Sequence, residues 1–176
     1  IASFKGQSYS DVAHDILMRF AAGSFSSDEI RADVEAAYAS FDDARIAPLV
    51  ELEPGLFLME LFHGPTLAFK DIAMQVLGRM FSRTLAKRGG HATIVAATSG
   101  DTGSAAIAAL GGLANVDVFV LHPKDRVSDV QRRQMTTAPH ANVHNIALLG
   151  TFDDAQSIVK DLFADAAFAR SVNLTA

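Results

Sequence analysis

The chain has no cysteine among its 176 residues. That absence removes disulfides, thiol catalysis and every cysteine-based zinc or iron–sulfur site, and it is compatible with a reducing compartment. A basic excess is missing too. Lys plus Arg number 15 against 20 Asp plus Glu, a formal net charge of −5, whereas a general nucleic-acid binder needs a basic face. Nor is there a long apolar run. The longest stretch, Ala105 to Leu121, is interrupted by Gly111, Gly112, Asn115 and Asp117 and cannot cross a bilayer as a helix. The opening Ile1-Ala2-Ser3-Phe4-Lys5 has no initiator Met and no signal-peptide core. A cytoplasmic protein without nucleic-acid or membrane partners is expected, with both ends of the chain cut from something longer.

Hydrophobic residues make up 49% and charged residues 20%, the composition of a globular protein. A chain of this size hides roughly 70% of its unfolded surface, enough for a real core. Its first part reads as two helices. Val12, Ile16, Leu17 and Phe20 share one helical face, and Gly23 closes that segment. Ser26 and Glu29 have capping-box spacing ahead of the stripe Ile30, Val34, Tyr38 and Phe41. These helices carry no evident chemistry and read as a packing element.

From Pro48 the pattern becomes strand, glycine turn, helix, repeated. Leu56 to Phe62 reads as a strand. Ile72, Val76, Leu77, Met80 and Phe81 have helical spacing, ending at Gly89-Gly90. Strands are expected at Thr93–Ala97, Val116–Leu121 and Val143–Leu149, with one more opening at Val172. Helices are expected after Gly103, from Ser128 through Met135, and from Phe152 to Phe163, the last with Thr151 and Asp154 at capping spacing. Alternating strands and helices imply an α/β fold with a mostly parallel sheet. Ligands of such sheets sit at the carboxyl ends of strands, which directs attention to the turns after Phe62 and after Ala97.

The first turn leads to Phe69-Lys70-Asp71. Lys70 is expected in the first turn of a helix, where the positive end of the dipole disfavours an ammonium. Apolar neighbours Leu67, Ala68 and Phe69 would disfavour it further by desolvation. Both effects favour a neutral, nucleophilic amine suited to Schiff-base chemistry. Asp71 opposes them, partially if its side chain points elsewhere. An exposed structural lysine is the competing reading. The second turn, Thr98-Ser99-Gly100-Asp101-Thr102-Gly103, offers hydroxyls and amides at a helix start, a cradle for carboxylate or phosphate. Capping by Asp101 is the competing reading there. No Gly-Lys-Ser/Thr follows, so this is not a Walker loop. Asp101-Thr102-Gly103-Ser104 spells an aspartic-protease signature, but that chemistry needs paired carboxylates and an all-β fold, and an Ala-rich helix follows instead. The six histidines show no compact ligand spacing, so no metal site is expected. Only His63, beside the Lys70 turn, reads as near a ligand, orienting backbone or cofactor, with loop structure alone as its competitor.

Taken together, His63-Gly64-Pro65-Thr66-Leu67-Ala68-Phe69-Lys70-Asp71 and Ala97-Thr98-Ser99-Gly100-Asp101-Thr102-Gly103 resemble the cofactor-lysine motif and the substrate-side loop of the threonine synthases. These belong to the pyridoxal-phosphate enzymes of tryptophan-synthase-like fold, whose other members usually carry Asn where this chain has Asp101. Segments around Pro123, Arg126-Val127-Ser128, Val130-Gln131 and Gln134-Met135 are similar as well. So are Thr151-Phe152-Asp153-Asp154-Ala155-Gln156 and Asn173-Leu174-Thr175-Ala176, and the likeness covers nearly the whole chain. It implies pyridoxal 5'-phosphate as cofactor and Lys70 as the lysine that joins it as a Schiff base. His63 and Phe69 are implied beside the cofactor, and Thr98, Ser99, Gly100, Asp101 and Thr102 at the substrate. The implied reaction converts O-phospho-L-homoserine and water to L-threonine and phosphate through aldimines.

The same resemblance divides the chain into a helical segment over 1–45, part of the cofactor-lysine domain over 46–96 and a small α/β domain over 97–176. It places the cofactor-phosphate cradle and the partner of the pyridine nitrogen beyond Ala176. The 176 residues are therefore expected to be an N-terminal portion with little activity alone. Three alternatives stand beside it: another pyridoxal-phosphate lyase or dehydratase of the same fold, a silent anion-binding homologue, and a helix face that serves subunit packing, with monomer and homodimer both open.

Overall fold

The computed structural model describes residues 2–21 and 23–175, so Ile1 and the final Ala176 of the terminal motif lie outside the described residues. The chain divides into two compact units, Ile1–Met80 and Phe81–Ala176.

In the first unit, a short 3₁₀ turn (Ala2–Phe4) precedes α1 (Tyr9–Ala21) and α2 (Ser27–Tyr38). The capping box forms as the spacing predicts. The Ser26 hydroxyl accepts the Glu29 amide and the Glu29 carboxylate accepts the Ser26 amide, satisfying two otherwise orphaned donors. Ile30, Val34, Ala37, Tyr38, Ile46 and Val76 form the core, with Tyr9, Ala13 and Leu17 packed against it. Phe20, placed on the packing face by periodicity, is 85% exposed. The face of α1 that packs is centred on Tyr9, Ala13 and Leu17 instead. Tyr9 meets Tyr38 edge-on at 5.3 Å, and buried His14 contacts the Ser27 hydroxyl at 3.0 Å. Those anchors set the helix rotation, not the hydrophobic stripe alone.

The run Leu56–Phe62 does not enter the parallel sheet. Its strand, β2 (Leu56–Met59), pairs antiparallel with β1 (Leu49–Glu53), a strand the apolar pattern did not mark. Pro54-Gly55, with Gly55 at φ +82°, closes the two-residue turn. So short a connection brings a strand back beside its immediate neighbour, and that pairing is antiparallel. A long loop, residues 60–70, then leads into α3 (Asp71–Arg88).

The second unit holds a four-stranded parallel sheet in the order β5-β4-β3-β6. Its strands are β3 (Ala92–Ala97), β4 (Val116–Pro123), β5 (Val143–Leu148) and β6 (Leu174–Thr175). The helices are α4 (Asp101–Leu110), α5 (Asp129–Thr136), α6 (Phe152–Ala164) and α7 (Ala166–Ser171). Val95 and Leu121 pack under Ala155, Val159 and Leu162 of α6. On the opposite face Gly103 of α4 lies so close to Val120 and Met135 that an added Cβ would meet them at 2.9 Å. The β3–β4 pairing ends at Ala97 opposite Leu121, while β4 runs on to Pro123, and the Thr98 turn leaves the sheet at this carboxyl edge. Among the described residues no helix is long and apolar enough to cross a membrane.

Candidate functional site

Each expected turn is built differently from its simplest reading. In the first unit, Lys70 is not inside the helix but one residue before it. Its carbonyl accepts the Met74 amide at 2.9 Å, the position of an N-cap. The cause lies in the loop. Leu67 adopts φ +61°, a left-handed conformation uncommon for any residue but glycine. Asp71, fully buried, folds its carboxylate back onto the same loop, accepting the Thr66 amide at 2.7 Å and the Thr66 hydroxyl at 2.8 Å. That tie closes the segment and starts the helix at Asp71. Gly64 lies directly beneath, where a Cβ would come within 2.6 Å of the Asp71 carboxylate.

With the Asp71 carboxylate turned onto Thr66, the Lys70 ammonium lies over the Phe69 ring, 4.5 Å from its centroid. The apolar neighbours that the sequence places around it are open to solvent: Leu67 is 63% and Phe69 57% exposed. Lys70 itself is half-buried.

His63 has both ring nitrogens engaged. Nδ1 lies 2.6 Å from Asp42 Oδ1 and Nε2 lies 2.8 Å from Glu60 Oε2. The Asp42 amide donates in turn to the His63 carbonyl at 3.0 Å. The two carboxylates, Glu60 first and then Asp42, hold the imidazole above its ordinary pKa. His63 therefore pins the loop to the segment after α2. A group whose folded pKa is raised contributes stability fully below its unfolded value, about 6.5, and loses it as pH rises through the folded value. The expected result is a stability gap between wild type and His63→Gln that is widest near pH 6 and narrows at alkaline pH. Urea melts across that range measure it; a pH-independent gap contradicts the ion pair.

In the second unit, Gly100 is the cap of α4 and makes no side-chain cap bond. Asp101 is the first helical residue, so the expected capping role passes to neither its carboxylate nor its neighbour's side chain. Gly100 has φ +144°, a region glycine alone takes without strain. Thr98, almost fully buried, braces the turn from below. Its hydroxyl oxygen accepts the Gly100 amide at 2.9 Å and the Gly103 amide at 2.8 Å. Those two amides are thus spent within the turn, and the anion cradle is narrower than the sequence suggests. Ser99 and Thr102 are exposed on it.

Asp101 accepts a hydrogen bond from Gln131 Nε2 at 2.6 Å. That contact spans thirty positions along the chain, and no spacing rule reveals it. The Asp42–His63 tie, across twenty-one positions, is hidden from the sequence for the same reason. Only the Ser128–Gln131 spacing, which forms a capping box on α5, hinted that Gln131 had a fixed place.

The residues at the Lys70 turn fit pyridoxal phosphate by their chemistry. A half-buried primary amine stands at a helix start beside an exposed aromatic ring, and its acidic neighbour is turned onto Thr66. Comparison with known proteins agrees. The profile of the family described as pyridoxal-phosphate dependent enzyme matches residues 42–174. A threonine synthase of Pseudomonas aeruginosa is 49% identical over 176 residues, covering 100% of this chain and 38% of that protein. The threonine synthase of Schizosaccharomyces pombe is 42% identical over 185 aligned residues, covering 100% and 36%. Among solved structures, a pyridoxal-phosphate-bound threonine synthase from Brucella melitensis superposes with a TM-score of 0.92 at 48% identity, covering 99% of this chain and 38% of that one. The α/β fold with its parallel sheet is therefore the fold of the threonine synthases over the shared part, and the chain spans 38% of the length of the Pseudomonas relative. On the match that runs from the end of the first helical pair through the last strand, this chain belongs to the family of pyridoxal-phosphate-dependent enzymes.

Proposed function

We propose that the protein to which these residues belong is a cytoplasmic threonine synthase, releasing phosphate from O-phospho-L-homoserine and adding water to give L-threonine. The observation that carries this reading is the likeness to threonine synthases over the full length of the chain, at 49% identity, with both chemistry-bearing turns at helix starts.

In this reading Lys70 would hold the cofactor through its amine. Pyridoxal phosphate, when bound, supplies an aldehyde for that amine and a ring that takes up electrons from bonds broken at the substrate Cα. Placed at the head of α3 by the Thr66–Asp71 tie, the Lys70 amine then holds and moves protons at Cα and Cβ of the substrate. Phe69 flanks the amine, and His63, through Asp42 and Glu60, keeps the loop in place. Ser99 and Thr102 offer hydroxyls to the substrate carboxylate, on a backbone shaped by Gly100 and braced by Thr98. Asp101, an anion, would repel a carboxylate facing it, so the amides and hydroxyls make that contact. The division into a helical segment (1–45), a cofactor-lysine part (46–96) and a small α/β part (97–176) belongs to the same proposal.

The test is phosphate release from O-phospho-L-homoserine by the full-length gene product loaded with pyridoxal phosphate, beside 2-oxo-acid formation from serine and threonine. Phosphate release with little 2-oxo acid is expected. The reverse result assigns the protein to the sister lyases and dehydratases.

A further inference from the structure

The loop Ser99–Thr102 is held from two sides, and only one of them lies within its own motif. Below it, Thr98 takes the Gly100 and Gly103 amides. Above it lies the side chain of Gln131, the third residue of α5. An amide side chain has one accepting and one donating end. The accepting end of Gln131 is committed to its own helix start: Oε1 accepts the Ser128 amide at 3.1 Å and the Ser128 hydroxyl at 3.0 Å. That fixes the rotation of the amide and leaves Nε2 pointing at Asp101 Oδ1, 2.6 Å away. The same amide lies flat against Gly100. A Cβ there would overlap the Gln131 amide carbon, oxygen and nitrogen. One side chain thus touches the loop at both its cap residue and its first helical residue.

Resting on the substrate-loop reading above, we infer that Gln131 is a positioning residue for the substrate-binding loop. It sets Gly100 by contact and Asp101 by a charge-assisted hydrogen bond, and through them the outward aim of Ser99 and Thr102. The capping box of α5 is therefore part of the binding apparatus and not only a helix start. The arrangement also gives position 101 a chemical requirement. Facing a donor that cannot turn round, it must present an oxygen. Asp meets this in either orientation of its side chain, whereas Asn meets it in one.

Three variants of the full-length, cofactor-loaded protein test this. Gln131→Met keeps the bulk against Gly100 and loses the hydrogen bonds. KM for O-phospho-L-homoserine rises about tenfold while kcat changes far less, the pattern of lost ground-state positioning. Gln131→Glu sets two carboxylates face to face, which can be held only by sharing a proton. Its kcat/KM falls with rising pH through an inflection that wild type lacks. Asp101→Asn added to Gln131→Glu restores a donor–acceptor pair with reversed direction and removes that inflection. A wild-type pH profile and KM in Gln131→Glu and Gln131→Met overturn the inference. A second readout needs no substrate: the amide resonance of Gly100, followed by NMR against pH, shows the same inflection in Gln131→Glu and none in the double variant. Absence of the inflection in Gln131→Glu overturns the positioning role. Its presence in a protein whose wild type releases no phosphate upholds that role and sinks only the assigned reaction.

Discussion

Replacing Lys70 with alanine is expected to lower phosphate release by at least about a thousandfold, because proton transfer at two carbons and attachment of the cofactor are both assigned to one amine. Lys70→Arg is the sharper variant. It keeps a cation beside the Phe69 ring, where the ammonium now lies 4.5 Å from the centroid, and a guanidinium stacks there readily. It cannot form a Schiff base. If charge at the head of α3 were all that mattered, Lys70→Arg would retain activity and the alanine variant alone would fail. The expected result is that both fail alike, and that borohydride fixes the cofactor to the peptide containing Lys70 in wild type and to no peptide in either variant. Stability offers a control. A half-exposed lysine over a surface ring contributes little, so both variants should unfold within about 0.5 kcal/mol of wild type.

Asp71→Ala is expected to have the opposite profile, a large loss of stability. Asp71 is fully buried, and its two oxygens each accept a bond from Thr66, one from the amide and one from the hydroxyl. Removing the carboxylate strands a buried amide and a buried hydroxyl, which costs about 3 kcal/mol in unfolding free energy. Asp71→Asn should cost about 1 kcal/mol, because its oxygen can still accept the Thr66 amide while its NH2 donates to the hydroxyl. Urea denaturation of the two variants measures the difference, and an Asp71→Ala melt within about 0.5 kcal/mol of wild type would falsify the proposed tie. The loop carries Leu67 at φ +61°. Its left-handed backbone is kept by the closure at Thr66, so Asp71→Ala should also displace Lys70 and reduce cofactor loading.

Much of the local structure was legible in the chain. The Ser26–Glu29 and Thr151–Asp154 spacings both form capping boxes. Three predicted strands of the parallel sheet appear within a few residues of the periodic pattern, and the opening at Val172 becomes the two-residue β6. The hairpin was not legible. β1 and β2 are largely exposed, so burial left no hydrophobic alternation on them; the apolar run from Leu56 marks β2 but not its partner, for which the Pro54-Gly55 turn is the signal. At the two turns the motifs did not reveal which partner each side chain takes. Thr98 looked like a ligand hydroxyl and serves as a brace. Asp101 looked like a cap and is the partner of Gln131. His63 looked like a ligand neighbour and bridges Asp42 and Glu60.

These outcomes divide along a physical line. What the sequence by itself determined are the features decided within a few residues: caps, strand and helix periods, glycine turns, and the two motifs whose order marks the family. Their hydrogen bonds close between groups that the backbone already holds near each other. The tertiary structure alone decided which of those side chains remain available to a ligand. The Asp42–His63 and Asp101–Gln131 bonds join positions twenty-one and thirty apart. Such pairs meet only after the loop and the sheet have closed, because the chain between two distant positions must be ordered before their side chains come within hydrogen-bond reach.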